Sequence, residues 1–101
     1  MIDLKNKKVI VTGGMGFLGS SICKKLEDKK AIPIPVKSEE VNLLNPEALI
    51  QFMAACKPEY CIHAAGYNGG IEFNRMYPAD IFYSNTIMGL NVHYACQYMS
   101  V

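Results

Sequence analysis

The residues best suited to chemistry stand in one run, Thr12-Gly13-Gly14-Met15-Gly16-Phe17-Leu18-Gly19. Two overlapping glycine spacings fit it: Gly14-x-Gly16-x-x-Gly19 and Gly13-x-x-Gly16-x-x-Gly19. In such a run the first glycine permits a tight turn, Gly16 lets bare backbone approach a pyrophosphate, and Gly19 lets a helix pack closely on a sheet. The start of that helix then offers unpaired N–H groups and a partial positive charge to phosphates. A phosphate loop of the kinase or ATPase type requires Gly-Lys-Ser/Thr. Here Gly19 is followed by Ser20-Ser21, which excludes it. A tight structural turn without a ligand is the competing reading.

Glycine spacing means little without a strand before it and a helix after it. Both are legible. Lys7-Lys8-Val9-Ile10-Val11-Thr12 reads as a buried strand. From Phe17 to about Lys29, Leu18, Ile22, Cys23 and Leu26 recur at helical spacing, with Lys24, Lys25, Glu27 and Asp28 on the other side. Ala31 to Lys37 reads as a second strand that Pro33 and Pro35 confine to an edge or an irregular course. Val41-Asn42-Leu43-Leu44 is expected as a very short third strand. Asn45-Pro46-Glu47 opens a helix with an N-cap side chain, an N1 proline and a first-turn acid. Leu49, Phe52, Met53 and Cys56 supply its buried stripe, and Pro58 closes it. Glu59 to Ala65 is a further strand running into small residues, and Pro78 to Met99 one long helix. Strands alternating with helices imply a parallel sheet with right-handed crossovers. The fold class is therefore α/β, a partial Rossmann-like doubly wound parallel sheet with helices on both faces.

Composition removes several alternatives. The 101 residues make one domain at most, and half of them are apolar, enough for a core. A formal net charge of +1 gives no strong attraction to nucleic acid or an anionic membrane surface. No apolar run approaches the roughly 20 residues of a membrane span. The opening Met1-Ile2-Asp3-Leu4-Lys5 lacks the pattern of a signal peptide, so the expected location is the cytoplasm. Cys23, Cys56, Cys61 and Cys96 form no C-x-x-C pair and are expected to be small buried hydrophobes. A zinc site from Cys61, His63, His93 and Cys96 is disfavoured, because Cys61-x-His63 falls within a strand where the side chains close no cage. No metal is expected. His63 is expected as a packed strand residue and not as an acid or base.

The end of the second strand bears on the nucleotide. NAD binders usually place an acid there for the ribose hydroxyls. This chain has Val36-Lys37-Ser38, with Glu39 and Glu40 following. A lysine and a hydroxyl suit a 2′-phosphate better, so NADP is expected as cofactor, with NAD possible.

The Gly-x-x-Gly-x-x-Gly turn, Asn42-Leu43 and His63-Ala64-Ala65-Gly66 resemble the extended short-chain dehydrogenases/reductases, the NAD-dependent epimerase/dehydratase group. Gly69-Gly70-Ile71, Asn74, Tyr77-Pro78-Ala79-Asp80 and Asn85 are similar to one branch of it, the GDP-L-fucose synthase family, which acts on GDP-4-keto-6-deoxymannose. The resemblance implies that Gly13, Gly14, Met15, Gly16, Phe17, Leu18 and Gly19 hold the pyrophosphate. By the same resemblance Lys37 and Ser38 face the 2′-phosphate, Asn42 and Leu43 line the adenine pocket, and Ala64, Ala65 and Gly66 pass beside the nicotinamide half. Gly69, Gly70 and Asn74 would lie toward the nucleotide-sugar substrate; glycines serving loop geometry alone are the alternative.

One departure is decisive for catalysis. The family places a serine on a later strand and does its proton work with a Tyr-x-x-x-Lys pair, in which the lysine lowers the phenol's pKa. Here the last lysine is Lys57 and the first tyrosine Tyr60, so no such pair exists. No catalytic residue is expected in the chain, which reads as the N-terminal part, over residues 1–101, of a NAD(P)-binding domain without its later strands and substrate domain. In a complete member, later strands and a partner subunit's helix cover the long helix, which here carries Ile81, Phe82, Ile87, Met88, Leu90, Val92, Tyr94 and Met99 on more than one face. A homodimer is implied for the complete protein, and marginal stability with a tendency to associate for this chain alone. An NAD-dependent sugar-nucleotide epimerase or dehydratase, and a non-catalytic dinucleotide-binding module, remain as alternatives.

Overall fold

The computed structural model of the chain describes residues 2–66 and 75–101. Strand β1 (Lys8–Thr12) leads through the glycine run into α1 (Phe17–Asp28), followed by β2 (Ile32–Val36), α2 (Pro46–Cys56), β3 (Tyr60–His63) and α3 (Pro78–Tyr98). The three strands form one parallel sheet in the order β2-β1-β3, with Val9 opposite Pro33 on one side and Tyr60 on the other. The expected parallel α/β architecture is what the chain adopts.

β1 reads as an unbroken apolar run because both of its faces are covered. Val9 and Val11 point to one side, where they meet Leu26 of α1 and Ala31. Ile10 points to the other, into a larger cluster with Val36, Leu49, Met53, Val92 and Ala95, beneath α2 and α3. All three β1 valine and isoleucine side chains are essentially inaccessible to solvent. Successive side chains of a strand alternate between faces, so a central strand needs no polar residue at all.

β2 tolerates two prolines for a geometric reason. The Ile32 N–H donates to Lys7 O at 2.8 Å, so the N–H groups of Ile32, Ile34 and Val36 face β1. The nitrogens of Pro33 and Pro35 then face away from it, and no bond of the β1–β2 ladder is lost.

The helix boundaries follow local chemistry. α1 ends with Lys30 at φ +66°, while the N–H groups of Lys30 and Ala31 bond back to the carbonyls of Glu27 and Leu26 at 3.0 Å. That is a Schellman ending with lysine where glycine is commoner. Asn45 caps α2 as expected, its side chain accepting from the Glu47 N–H at 3.1 Å with Pro46 behind it. At the far end Lys57 turns left-handed, and the Lys8 ammonium donates to the Cys56 carbonyl at 3.3 Å.

The short strand expected at Val41–Leu44 does not form. The Asn42 side chain accepts the Leu44 N–H at 3.0 Å and its carbonyl accepts the Asn45 N–H at 2.9 Å, so a side-chain-closed turn takes the donors a ladder would need. Val41 and Leu43 are still buried, as caps over the α2–α3 cluster. Among the described residues, no helix is long and apolar enough to cross a membrane.

Candidate functional site

Two glycines that admit no substitute, Gly13 and Gly19, shape the cleft side of the corner between β1 and α1. Gly13 has φ +64°, and a Cβ there would stand 2.7 Å from Ala65 Cα and 2.9 Å from Ala65 N. At Gly13 and Ala65 the segments leaving β1 and β3 therefore meet backbone to backbone. At Gly19, inside the first turn of α1, a Cβ would overlap the Gly13 carbonyl. Gly16 is the N-cap of α1, and its N–H is taken by Gly13 O at 3.0 Å. The first bond of the helix runs from the Ser20 N–H to Gly16 O at 2.9 Å. No side chain caps this turn and no acid lies in it, so the N–H groups of Phe17 and Leu18 are left pointing out of the helix with the positive end of its dipole behind them.

Those amides open onto a cleft of about 1030 Å³ that runs over the C-terminal ends of all three strands. Ligands of open α/β sheets sit outside those strand ends, where the chain turns to opposite faces of the sheet. Of the residues singled out for a cofactor, Gly13, Met15, Gly16, Phe17, Leu18, Gly19, Lys37, Ser38, Asn42, Leu43, Ala64, Ala65 and Gly66 all line it. Gly14 does not: it is buried against the Pro35 ring, where a side chain would collide. Leu18, assigned above to the buried stripe of α1, faces the cleft instead and is 60% exposed, beside Phe17 at 94%. Gly69, Gly70 and Asn74 lie outside the described residues.

The cleft also has a wall that was not assigned. Asp80, Ser84 and Met88, spaced by four along α3, line it together with Tyr83 and Asn85. That spacing is visible in the sequence, but it is masked by a helix whose apolar residues occupy every side. Leu43 is held from the same helix, since the Asn91 amide donates to its carbonyl at 2.9 Å. At the β2 end Lys37 and Ser38 stand beside Glu39 on the cleft, and the Lys37 ammonium lies 3.9 Å from Glu40. An exposed pair at that separation holds its lysine only weakly.

Behind the wall sits a buried hydroxyl. Thr12 is fully enclosed, and its Oγ1 accepts N–H bonds from Ala64 at 3.0 Å and Ala65 at 3.2 Å while lying 2.6 Å from His63 Nδ1. His63 is more open than a packed strand residue: part of its ring meets solvent, and Nε2 lies 4.0 Å from where a Cβ on Gly89 would be. Desolvation on the enclosed side holds its pKa below the ordinary histidine value. The four cysteines are free and half-buried, less enclosed than expected. Cys61 and Cys96 meet at the α2–α3 cluster, where burial, then the neighbouring Cys96, pushes the Cys61 thiol up to about 12. Among the described residues, no group of three His, Cys, Asp or Glu side chains is gathered closely enough to hold a metal.

The family model described as NAD dependent epimerase/dehydratase family matches residues 9–101. The chain belongs to that family. Among its relatives, GDP-L-fucose synthase of Escherichia coli (strain K12) is 31% identical over 93 residues, covering 91% of this chain and 29% of that protein. A putative GDP-L-fucose synthase 2 of Arabidopsis thaliana is 36% identical over 89 residues, covering 87% and 27%. The solved structure of MlghC, a GDP-mannoheptose C4 reductase from Campylobacter jejuni with NADP bound, superposes with a TM-score of 0.84 at 26% identity, covering 95% of this chain and 31% of that one. The chain thus spans less than a third of the length of the curated relatives it matches. The family's members are NAD(P)-dependent enzymes of sugar nucleotides, and the parallel sheet with its glycine corner is the part of them this chain supplies.

Proposed function

We propose that the chain is the N-terminal, NADP-binding part of a sugar-nucleotide oxidoreductase of the GDP-4-keto-6-deoxymannose epimerase–reductase type, occupying residues 1–101 of a longer Rossmann domain. The observation that carries this reading is the corner itself. Amides of an uncapped, acid-free helix end face a cleft whose floor no side chain can enter at Gly13 or Gly19. A dinucleotide fits that geometry: its pyrophosphate rests on Gly13 and on Met15 to Gly19, its adenosine on Asn42 and Leu43, its 2′-phosphate on Lys37 and Ser38, and its nicotinamide half beside Ala64, Ala65 and Gly66. When bound, the reduced nicotinamide supplies a hydride; the residues here bind and orient it and move no proton. Gly69, Gly70 and Asn74 belong to the nucleotide-sugar side of this proposal.

NAD is the second reading, and one observation favours it. Glu39 lines the same end of the cleft and suits a ribose hydroxyl. Titration of the chain with NADPH and NADH separates the two. Preference for NADPH supports Lys37 and Ser38 as the recognition pair, preference for NADH supports Glu39, and equal, very weak binding of both removes the cofactor assignment.

The complete protein is proposed to be a cytoplasmic homodimer. The dimer's support is α3, where Leu90, Tyr94 and Tyr98 form an exposed stripe opposite the buried Val92 and Ala95. Absence of turnover is expected for the 101 residues alone, since they contain no Tyr-x-x-x-Lys.

A further inference from the structure

Hydrogen counting at Thr12 assigns a role to His63. A threonine hydroxyl has one hydrogen and two lone pairs. Both lone pairs of Thr12 Oγ1 are taken, by the N–H groups of Ala64 and Ala65. The hydrogen is left for His63 Nδ1 at 2.6 Å, so Nδ1 is the acceptor and the ring proton sits on Nε2, toward Gly89. A second proton on the ring would occupy Nδ1. Oγ1 would then have to accept it, and one amide would lose its place. Ala64 has a second acceptor in the Thr12 carbonyl at 3.2 Å; among the described residues Ala65 has no other. Ala65 is also the residue whose backbone abuts Gly13.

We propose that neutral His63 is a positioning residue for the candidate cofactor cleft: by accepting from Thr12 it keeps that hydroxyl turned to receive Ala65, and protonation of the ring releases Ala65 and slackens the wall that meets the Gly13 turn. Neither Thr12 nor His63 lines the cleft, so both act through Ala64, Ala65 and Gly13. The site is accessible to protons because part of the ring is exposed. Few groups compete for the titration. On this side of the sheet β3 presents Cys61 against Cys96 of α3; no charged side chain contributes to the shift of His63, whose cause is burial alone. A lowered pKa means that the unfolded chain takes the proton more readily. Stability contributed by neutral His63 is thus present above about pH 6.5 and lost as pH falls through the folded value.

The test needs no ligand at its first stage. Histidine-labelled chain is followed by nitrogen NMR from pH 7.5 to 5.0, with amide exchange at Ala65 corrected for intrinsic rates. The expected result is the Nε2–H form at pH 7.5 and a loss of Ala65 protection of about fivefold as His63 titrates, the size of one modest hydrogen bond. His63→Gln keeps an acceptor for Thr12 but cannot titrate, so its Ala65 protection stays level; His63→Leu loses protection at every pH. An Nδ1–H ring at pH 7.5, or Ala65 protection that ignores the titration, overturns the proposal. Its consequence for affinity rests on the dinucleotide reading and is measured separately with NADH, which lacks the titrating 2′-phosphate. Affinity falls about fivefold further in the native chain than in His63→Gln over the same range. Binding that is equal in both at every pH overturns the link to the cleft. If NADH and NADPH fail to bind at all while Ala65 follows the ring, the dinucleotide reading falls and the hydrogen-bond assignment stands.

Discussion

α1 and α3 are built to different ends. α1 buries one narrow side, through Gly19 and Leu26 with Ile22 and Cys23 at its margins, and turns lysines and acids to water. Apart from the residues at its N-terminus, which the cleft needs open, it leaves nothing uncovered. α3 is nearly twice as long and has no polar side. One flank packs Val92, Ala95 and Met88 onto the α2 cluster, while Phe82, Tyr83, Leu90, Tyr94 and Tyr98 stand in solvent on others. A helix with large apolar side chains left open on several sides belongs inside something larger. The contrast separates what these residues complete by themselves, the glycine corner, from what they only begin.

Substitutions that break the corner should cost most. Gly13→Val demands a β-branched residue at φ +64° and drives its side chain into Ala65, so a loss of about 4 kcal/mol in denaturant unfolding and of all dinucleotide binding is expected. A variant that still binds would show that β1 and β3 can separate at no penalty. Next comes the packed flank of α3. Met53 is fully buried beneath it, and Met53→Ala should cost about 3 kcal/mol by the same measurement, with cofactor preference unchanged. Lys37→Ala tests the far end of the cleft: NADPH should bind about tenfold more weakly, NADH equally, and a parallel loss of both would remove Lys37 from recognition. The smallest stability change is expected on the open flank. Leu90→Glu with Tyr94→Lys should move unfolding by only about 0.5 kcal/mol yet reduce association in sedimentation, whereas the unaltered chain associates and unfolds broadly. A clean monomer with a sharp, reversible transition before any substitution would contradict the unfinished character assigned to α3.

Where local chemistry and tertiary packing agreed, the sequence was readable. Asn45-Pro46-Glu47 starts a helix in any setting, and Val9-Ile10-Val11 suits only a strand covered on both sides. The glycine run carried both its turn and its close contact in its spacing. Reading failed where two chemistries competed for one segment. Val41 and Leu43 look like strand residues because they are buried, but Asn42 claims the backbone donors around it. Leu18 fits the periodicity of a buried stripe, yet the first turn of α1 faces the cleft and not the sheet. Asp80, Ser84 and Met88 were invisible as a wall because a helix without a polar side offers no phase to read. Gly14 shares the spacing of its neighbours but sits against Pro35, a contact that only the folded register of β2 reveals.

The two prolines of β2 have a consequence for growth. Toward the outside that strand offers carbonyls without hydrogens to match them, so a newcomer would find half of every pair missing. At the opposite border Cys61 and His63 present both kinds of group. Enlargement of this sheet is therefore one-directional: any additional strand will settle beside β3, and stray chains that might zip onto the β2 side are refused.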